Sequence, residues 1–102
     1  MFYVLFSLAD GEKHGYAIMQ AMAALSDGKF RMGPGTLYTT LQRLLDQGLI
    51  AEVEANRSTE DSRRRYYRLV DPGRSMLKSE LARMDAAVRL ARKRKLVPGM
   101  AE

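Results

Sequence analysis

Apolar residues recur at helical spacing in the first half of the chain. Phe2–Leu8 is a short, nearly all-apolar run whose length fits a buried strand as well as a buried helix. In Gly15–Leu25 every third or fourth residue is apolar, which predicts a helix of about three turns. A further helix is predicted over Gly35–Gln47, with Pro34 in its first turn and Gly48 as the glycine that ends it. The core-facing stripe of this helix consists of Leu37, Leu41, Leu44 and Leu45.

Alternation replaces the helical spacing after this helix. Residues 49–55 alternate between apolar and acidic side chains and predict a strand. Its apolar face comprises Leu49, Ala51 and Val53. Residues 64–70 are rich in aromatic and branched side chains and predict the return strand, joined to the first by a polar loop over Asn56–Ser62. Because strand residues alternate between faces, we expect Tyr67 in the core and Tyr66 on the opposite face.

The last helix is the longest. Asp71-Pro72 is a helix-start signal, with an acid as N-cap and proline at the first helical position, and the helix is predicted to run to about Lys95. Its apolar residues follow a 4, 3, 4, 3 spacing, which is the seam of a coiled coil. These residues are Leu77, Leu81, Met84, Val88 and Ala91. A helix of this length, ~36 Å at 1.5 Å per residue, is longer than so small a domain covers. The stripe therefore predicts a homodimer; the alternative is that it packs against its own domain.

The order of predicted elements defines a fold class. The chain is expected to be mainly α with a small β-hairpin, in the order helix, helix, helix, hairpin, long helix. This is the order of a winged helix-turn-helix. We expect a winged helix-turn-helix DNA-binding domain over residues 1–70, a dimerisation helix over 71–97 and a disordered tail over 98–102.

The positive charge is concentrated in the second half of the chain. The sequence has 17 basic and 12 acidic residues, and the whole excess of +5 lies after residue 50. Two basic clusters carry it: Arg63, Arg64, Arg65 and Arg68 in the hairpin, then Arg89, Arg92, Lys93, Arg94 and Lys95 near the C-terminus. A basic patch is typical of a protein that binds a polyphosphate. The alternative is a solvated surface that aids solubility.

The exposed side of the third helix suits the major groove of duplex DNA. That groove, ~12 Å wide, accepts one α-helix. Short hydroxyl side chains allow close approach, and Arg43 is able to read guanine or contact a phosphate. No acid lies on this face before Asp46. The predicted DNA-contacting residues are Gly35, Thr36, Tyr38, Thr39, Thr40 and Arg43 in the helix and Arg63, Arg64 and Arg65 near the tip of the hairpin.

Residues needed for catalysis are scarce. The chain has no Cys and one His, no paired carboxylates at catalytic spacing and no phosphate-binding glycine loop, so we expect no enzyme, no metal site and no cofactor. The absence of Cys fits a reducing compartment. The apolar run Met1–Ala9 is too short to span a bilayer and lacks a basic leader, so a cytoplasmic protein is expected. The alternative function is a winged helix that binds other proteins without binding specific DNA.

Several short motifs, in this order, resemble the PadR family of bacterial transcriptional regulators. They are His14-Gly15-Tyr16, Pro34-Gly35-Thr36-Leu37-Tyr38, Arg43-Leu44, Gly48-Leu49-Ile50 and Arg64-Arg65-Tyr66-Tyr67-Arg68-Leu69. The resemblance covers about residues 2–75. It implies a homodimeric winged-helix repressor that binds an inverted-repeat operator and in many members is released by a small, often aromatic ligand.

The resemblance also assigns roles and shows two departures. It implies that the Tyr38 hydroxyl contacts a phosphate; the alternative is that its ring packs against Leu41 and Ile18. His14 is expected to cap the second helix.

Family members usually carry several residues ahead of the first helix, whereas here Met1 adjoins it. The C-terminal part is a single helix, which resembles the short-tailed members.

Overall fold

The described residues form four helices and three short strands. The structure, a computed structural model, describes residues 1–53 and 65–97. The elements are α1 (Phe2–Ser7), β1 (Lys13–His14), α2 (Gly15–Leu25), α3 (Pro34–Asp46), β2 (Ile50–Val53), β3 (Tyr66–Leu69) and α4 (Asp71–Lys93). The mainly helical fold with a small sheet is confirmed. The predicted loop Asn56–Ser62, the arginines Arg63 and Arg64, and the predicted tail 98–102 lie outside the described residues.

The helix ends follow local chemistry. The Nδ1 atom of His14 accepts a hydrogen bond from the Ala17 N–H at 3.2 Å, which confirms the predicted cap of α2. Gly48 follows α3 with a φ of +72°, and its N–H donates to the Leu45 carbonyl at 3.0 Å. Glycine adopts this conformation without strain, which is why the helix ends there. The N-cap of α4 is Val70 rather than Asp71, so the predicted start is one residue late.

One continuous core joins all four helices to the sheet. Its buried apolar side chains are Val4, Leu5, Leu8, Ile18, Met22, Leu37, Leu41, Leu44, Leu49, Ile50, Tyr67, Leu69 and Leu77. The three α3 leucines are at most 1% exposed. Complete burial of a leucine stabilises a fold by ~1.5–3 kcal/mol, so these three hold α3 firmly in one orientation.

The sheet has three strands in the described chain, not the two predicted. In the order β1-β3-β2, the additional strand β1 pairs antiparallel with β3, with Lys13 opposite Tyr67 and His14 opposite Tyr66. The polar residues before His14 are typical of a turn and predict no strand. Two residues are too few to show an alternation, and their hydrogen-bonding partner lies more than fifty residues away along the chain, so no local pattern marks them.

The predicted inward face of the first strand is wrong for Ala51 and Val53, whereas Leu49, which directly precedes β2, is buried as predicted. Ile50 is 3% exposed and lies opposite the buried Leu69, whereas Ala51 and Val53 are only half-buried. Directly opposed residues in a sheet point to the same side. Ile50 and Glu52 therefore share the face of Leu69 and Tyr67, while Tyr67 itself, 2% exposed, is confirmed as a core residue.

The second half of α4 extends away from the core. Leu77 is buried in the core of its own chain and Leu81 is partly buried against it, whereas Met84 and Val88 are 44% and 38% exposed. The chain measures 54 × 26 × 22 Å and its radius of gyration is 16.1 Å. A compact chain of this length has a radius of gyration of ~13 Å. At 23 residues α4 is ~35 Å long, which exceeds both shorter dimensions of the chain.

The segment between α2 and α3 has no regular structure. A brief extended piece is expected around Phe30 and Met32 from their alternation with basic residues, but the Phe30 N–H instead donates to the Ser26 hydroxyl at 2.8 Å. This hydrogen bond holds the segment against the C-terminal end of α2.

Among the described helices, none combines the length and apolar character needed to span a membrane.

Candidate nucleic-acid interface

The packing of α3 determines which of its residues face outwards. With Leu37, Leu41 and Leu44 in the core, the opposite side of the helix lies on the surface. The structure places Gly35, Thr36, Tyr38, Thr39 and Arg43 there as exposed residues and Thr40 as a half-buried one. All six helix positions predicted to contact DNA thus lie on one surface. Tyr38, Thr39, Gln42, Arg43 and Asp46 line a shallow hollow of about 460 Å³ on it.

The threonine hydroxyls on this surface are already engaged as donors. The Thr39 hydroxyl donates to the Gly35 carbonyl at 3.1 Å, and the Thr40 hydroxyl donates to the Thr36 carbonyl at 2.9 Å. Each hydroxyl keeps lone pairs that accept a hydrogen bond, and each methyl group is fixed by the same bond. These side chains therefore offer acceptors and apolar methyl groups, which suit a cytosine amino group and a thymine methyl group.

Arg43 is the cation at the centre of this surface. Asp46, the acid one turn further on, accepts a hydrogen bond from the Gln42 amide at 3.1 Å. Within the described part of the chain, Arg43 makes no hydrogen bond or ion pair. Arg43 therefore pairs with neither Asp46 nor Gln47 on the helix surface. Its five N–H donors are available to a ligand.

The N-terminal end of α3 adds positive potential. Gly33 is the N-cap and has no side chain to accept from the first N–H groups, and the first turn contains no acid. The open N–H groups and the helix dipole favour an anion at this end. Pro34 lies in this turn, where its missing N–H removes no helical hydrogen bond.

Tyr38 bridges α3 to the start of α2. The residue is 50% exposed, and its hydroxyl oxygen lies 2.6 Å from the position that a Cβ atom would occupy on Gly15. The end of the phenol therefore rests on the Gly15 backbone. Helical spacing offers Leu41 and Ile18 as the packing partners of this ring and does not reveal Gly15. The available signal is the glycine itself, because a residue without a side chain permits another element to approach closely.

The hairpin formed by β2 and β3 is the wing, and a pair of oppositely charged residues lies at its base. The Arg65 Nε lies 3.7 Å from the Glu52 Oε2, and both side chains are well exposed. Burial raises the pKa of Tyr67, and the negative charge of Glu52 raises it further, while Arg65 acts in the opposite direction. The sequence pattern does not identify Glu52 as a neighbour of Tyr67, because the alternation places Glu52 on the face opposite the core, whereas it lies opposite Tyr67 in the sheet. Of the three arginines predicted for the wing, Arg65 is the one in the described residues, and it is exposed.

The predicted dimer stripe is divided between the core and the surface. Leu77 belongs to the core, Leu81 is partly buried against it, and Ala91 is half-buried. Met84 and Val88 are the exposed large apolar side chains of the stripe. The described residues also bring no three His, Asp or Glu side chains together where a metal ion would be held.

Together these features define a winged helix-turn-helix protein with a projecting C-terminal helix. Residues 4–79 match the model of the transcriptional regulator PadR-like family. The chain belongs to this family, which is a family of transcriptional regulators and not of enzymes.

Two relatives differ in how much of their length the chain spans. It is 36% identical over 87 residues to the transcriptional regulator Rv3488 of Mycobacterium tuberculosis. This match covers 85% of this chain and 77% of the relative. It is 40% identical over 88 residues to an uncharacterised 37.1 kDa protein of a Streptomyces fradiae transposon, covering 83% of this chain. The chain spans about a quarter of that transposon protein, 24%.

Two solved structures share the fold. A PadR family transcription regulator from Clostridium difficile superposes with a TM-score of 0.74 at 23% identity, covering 90% of this chain and 93% of that one. Bacillus subtilis PadR in complex with operator DNA superposes with a TM-score of 0.67 at 25% identity, covering 78% of this chain and 44% of that one.

The environment of Tyr67 predicts a pH dependence of stability. Because its pKa is raised in the folded state, the neutral phenol stabilises the fold below the ordinary tyrosine pKa of ~10, and this contribution is lost as the pH rises through the raised pKa. The free energy of unfolding of the wild-type protein should fall more steeply above a pH of about 10 than that of Tyr67→Phe. Urea unfolding at a series of pH values measures both slopes. Tyr16→Phe, at an exposed tyrosine, controls for the loss of a phenol as such. Equal slopes for the wild type and Tyr67→Phe would contradict this account of the Tyr67 environment.

Proposed function

We propose that this protein is a cytoplasmic, homodimeric repressor that binds an inverted repeat in duplex DNA. The observation that carries the proposal is the outward surface of α3, where Arg43 has no partner among the described residues and lies beside Thr39 and Thr40. The helix is held in place by three buried leucines, so this surface is presented rigidly. The regulators and the operator complex to which the chain is similar support the same conclusion.

In this proposal α3 occupies the major groove. Its 13 residues span ~20 Å, enough to follow the groove across several base pairs. Arg43 donates to guanine, and the threonine methyl groups contact thymine. The Tyr38 hydroxyl and the open N–H groups at the start of the helix, at Gly35 and Thr36, contact phosphates, which fix the register of the protein on the duplex without reading its sequence.

The wing contacts the DNA backbone beside the groove. Arg65 lies at the base of the wing next to Glu52, and its side chain is 69% exposed. Arg63 and Arg64 directly precede it in the sequence. We propose that these three arginines contribute affinity for phosphates, whereas Arg43 contributes specificity.

A second copy covers the projecting part of α4. Met84 and Val88 lie on the side of α4 that continues the buried Leu77 and the partly buried Leu81, beyond the reach of their own core. A twofold interface through this helix presents two copies of α3 to two half-sites of opposite orientation. A dimer bound across a promoter blocks access to it, which is why we propose repression.

The proposed small-molecule effector binds between the two copies. Methionine side chains adapt to hydrophobic ligands of varied shape, and Met84 is the exposed methionine of the stripe on α4. A dimer built on this helix would enclose it, and a hydrophobic or aromatic ligand there would alter the distance between the two α3 helices.

DNA binding is tested with a pool of random-sequence duplexes at low ionic strength. The wild-type protein should retard them in a gel, and log Kd should change with log salt by ~0.9 for each phosphate that the protein neutralises. The double variant Arg64→Ala/Arg65→Ala should bind all duplexes more weakly, and its salt slope should be smaller by about one unit for each phosphate that a subunit no longer neutralises. A protein that binds only other proteins would show no retardation at low salt, and this result would overturn the proposed function.

Arg43 should contribute sequence specificity. Arg43→Ala should lower the ratio of affinities for a duplex selected by the wild-type protein and for random duplexes, because a bidentate contact to guanine discriminates by ~1–3 kcal/mol. Its melting temperature should stay nearly constant, since exposed substitutions change stability by under ~0.5 kcal/mol. Arg74→Ala, which removes an exposed arginine of α4, is the matched control and should leave the ratio unchanged. A constant ratio in Arg43→Ala would show that Arg43 contacts only phosphate.

The dimer is tested by charges in the exposed part of the stripe. Met84→Asp/Val88→Asp should sediment as a folded monomer, because two carboxylates per copy would be buried without partners in the interface. Ala82→Asp/Ala86→Asp adds the same charge to exposed residues on the opposite side of α4 and should remain dimeric. If the first variant stays dimeric, the copies associate through another surface.

A further inference from the structure

Gly15 is buried at the first position of α2, directly below the phenol of Tyr38. A Cβ atom built on Gly15 would lie 2.6 Å from the Tyr38 hydroxyl oxygen and 3.1 Å from its Cζ atom. The next neighbour, the Leu37 Cδ2, would be 3.6 Å away, which is an ordinary van der Waals contact. The space at Gly15 is therefore occupied by the end of the Tyr38 side chain and not by the backbone or the core side chains of α3.

This clash differs in kind from the one at Gly73 in α4. A Cβ atom on Gly73 would overlap the Leu49 carbonyl oxygen, a backbone atom that cannot move without disturbing the sheet. On Gly15 the obstacle is the far end of a half-exposed side chain. A methyl group at Gly15 would displace the phenol towards solvent and leave the remainder of the fold in place.

The phenol of Tyr38 lies where three elements meet. Gly15 directly follows β1, and Lys13 in β1 pairs with Tyr67 in β3. The negative charge of an ionised Tyr38 phenol in turn acts on the hydroxyl of Tyr67 and raises the pKa of Tyr67. The position of the Tyr38 hydroxyl relative to the wing is therefore set where α2, α3 and β3 meet.

We propose that Gly15 is a positioning residue for DNA binding. Because Gly15 has no side chain, the Tyr38 hydroxyl can lie at the junction of α2, α3 and the base of the wing, where it contacts a DNA phosphate. The proposal rests on the proposed function, because it takes Tyr38 as a phosphate contact. Gly15 itself touches no DNA and acts only through Tyr38.

Stability and affinity should change in opposite directions in Gly15→Ala. Alanine is a better helix former than glycine, so the melting temperature should stay constant or rise. The affinity for random-sequence duplexes at low salt should fall on the order of tenfold per subunit, which is the effect of losing one hydrogen bond to a charged group. A residue with a merely structural role would change both quantities in the same direction.

A double-mutant cycle with Tyr38→Ala tests whether the effect passes through Tyr38. In the Tyr38→Ala background, Gly15→Ala should not change the affinity for the random duplexes, because no phenol remains to be displaced. Tyr38→Phe removes the atom of closest approach, and Gly15→Ala should have a reduced effect there. A matched cycle with Arg43→Ala, more than one turn further along α3, should be additive.

The outcomes separate this inference from the proposed function. If the wild-type protein does not bind the duplexes, the proposed function is wrong, and the positioning role fails with it. If the wild type binds and Gly15→Ala binds equally well, Gly15 does not position Tyr38. An affinity decrease that persists in the Tyr38→Ala background, or a clearly lowered melting temperature of Gly15→Ala, also overturns the inference, because the methyl group would then disturb the core.

Discussion

The burial of Leu37, Leu41 and Leu44 is the constraint on which the remainder of the structure depends. These three side chains fill the centre of the core, and each is at most 1% exposed. Their packing fixes the rotation of α3, and the rotation decides that Arg43 and the threonines face outwards. A rotation of α3 would remove leucine from the core, at a cost of ~1.5–3 kcal/mol for each side chain exposed. The outward surface is therefore a direct consequence of the core.

The same core links the helix to the wing. Ile50 and Leu69, opposite each other in the sheet, pack into the cluster that holds α3. Tyr67, on the same buried face, lies opposite Glu52 in the sheet, and the charges of Glu52 and Arg65 act on its hydroxyl. The short strand β1 then ties the entry of α2 to β3. As a result, α3 and the base of the wing form one rigid unit. Contacts of α3 in the major groove and contacts of the wing with the DNA backbone can therefore be made at the same time.

Much of this architecture is predictable from local patterns. The spacing of the leucines locates α3 and its outward face, Gly48 marks its end, and the phase of the aromatic residues places Tyr67 in the core. Each of these signals depends on residues within a few positions of one another.

The features that sequence reasoning missed depend on distant partners. Strand β1 exists because Lys13 and His14 pair with β3, and the inward face of β2 is set by Leu69 opposite Ile50. The contact of Tyr38 with Gly15 joins two helices through a side chain. The spacing on α4 predicts one seam, yet Leu77 is part of the core and Met84 is exposed. A helical spacing shows which residues share a face but not what covers each of them.

The sequence of the DNA that the protein selects shows whether two copies of α3, held together by α4, read two half-sites. The measurement is repeated selection of bound duplexes from a random pool, followed by sequencing. We expect enrichment of an inverted repeat whose half-sites are centred about one helical turn, ~10 base pairs, or a multiple of it apart. Enrichment of a single asymmetric site, or no enrichment of any sequence, would contradict it.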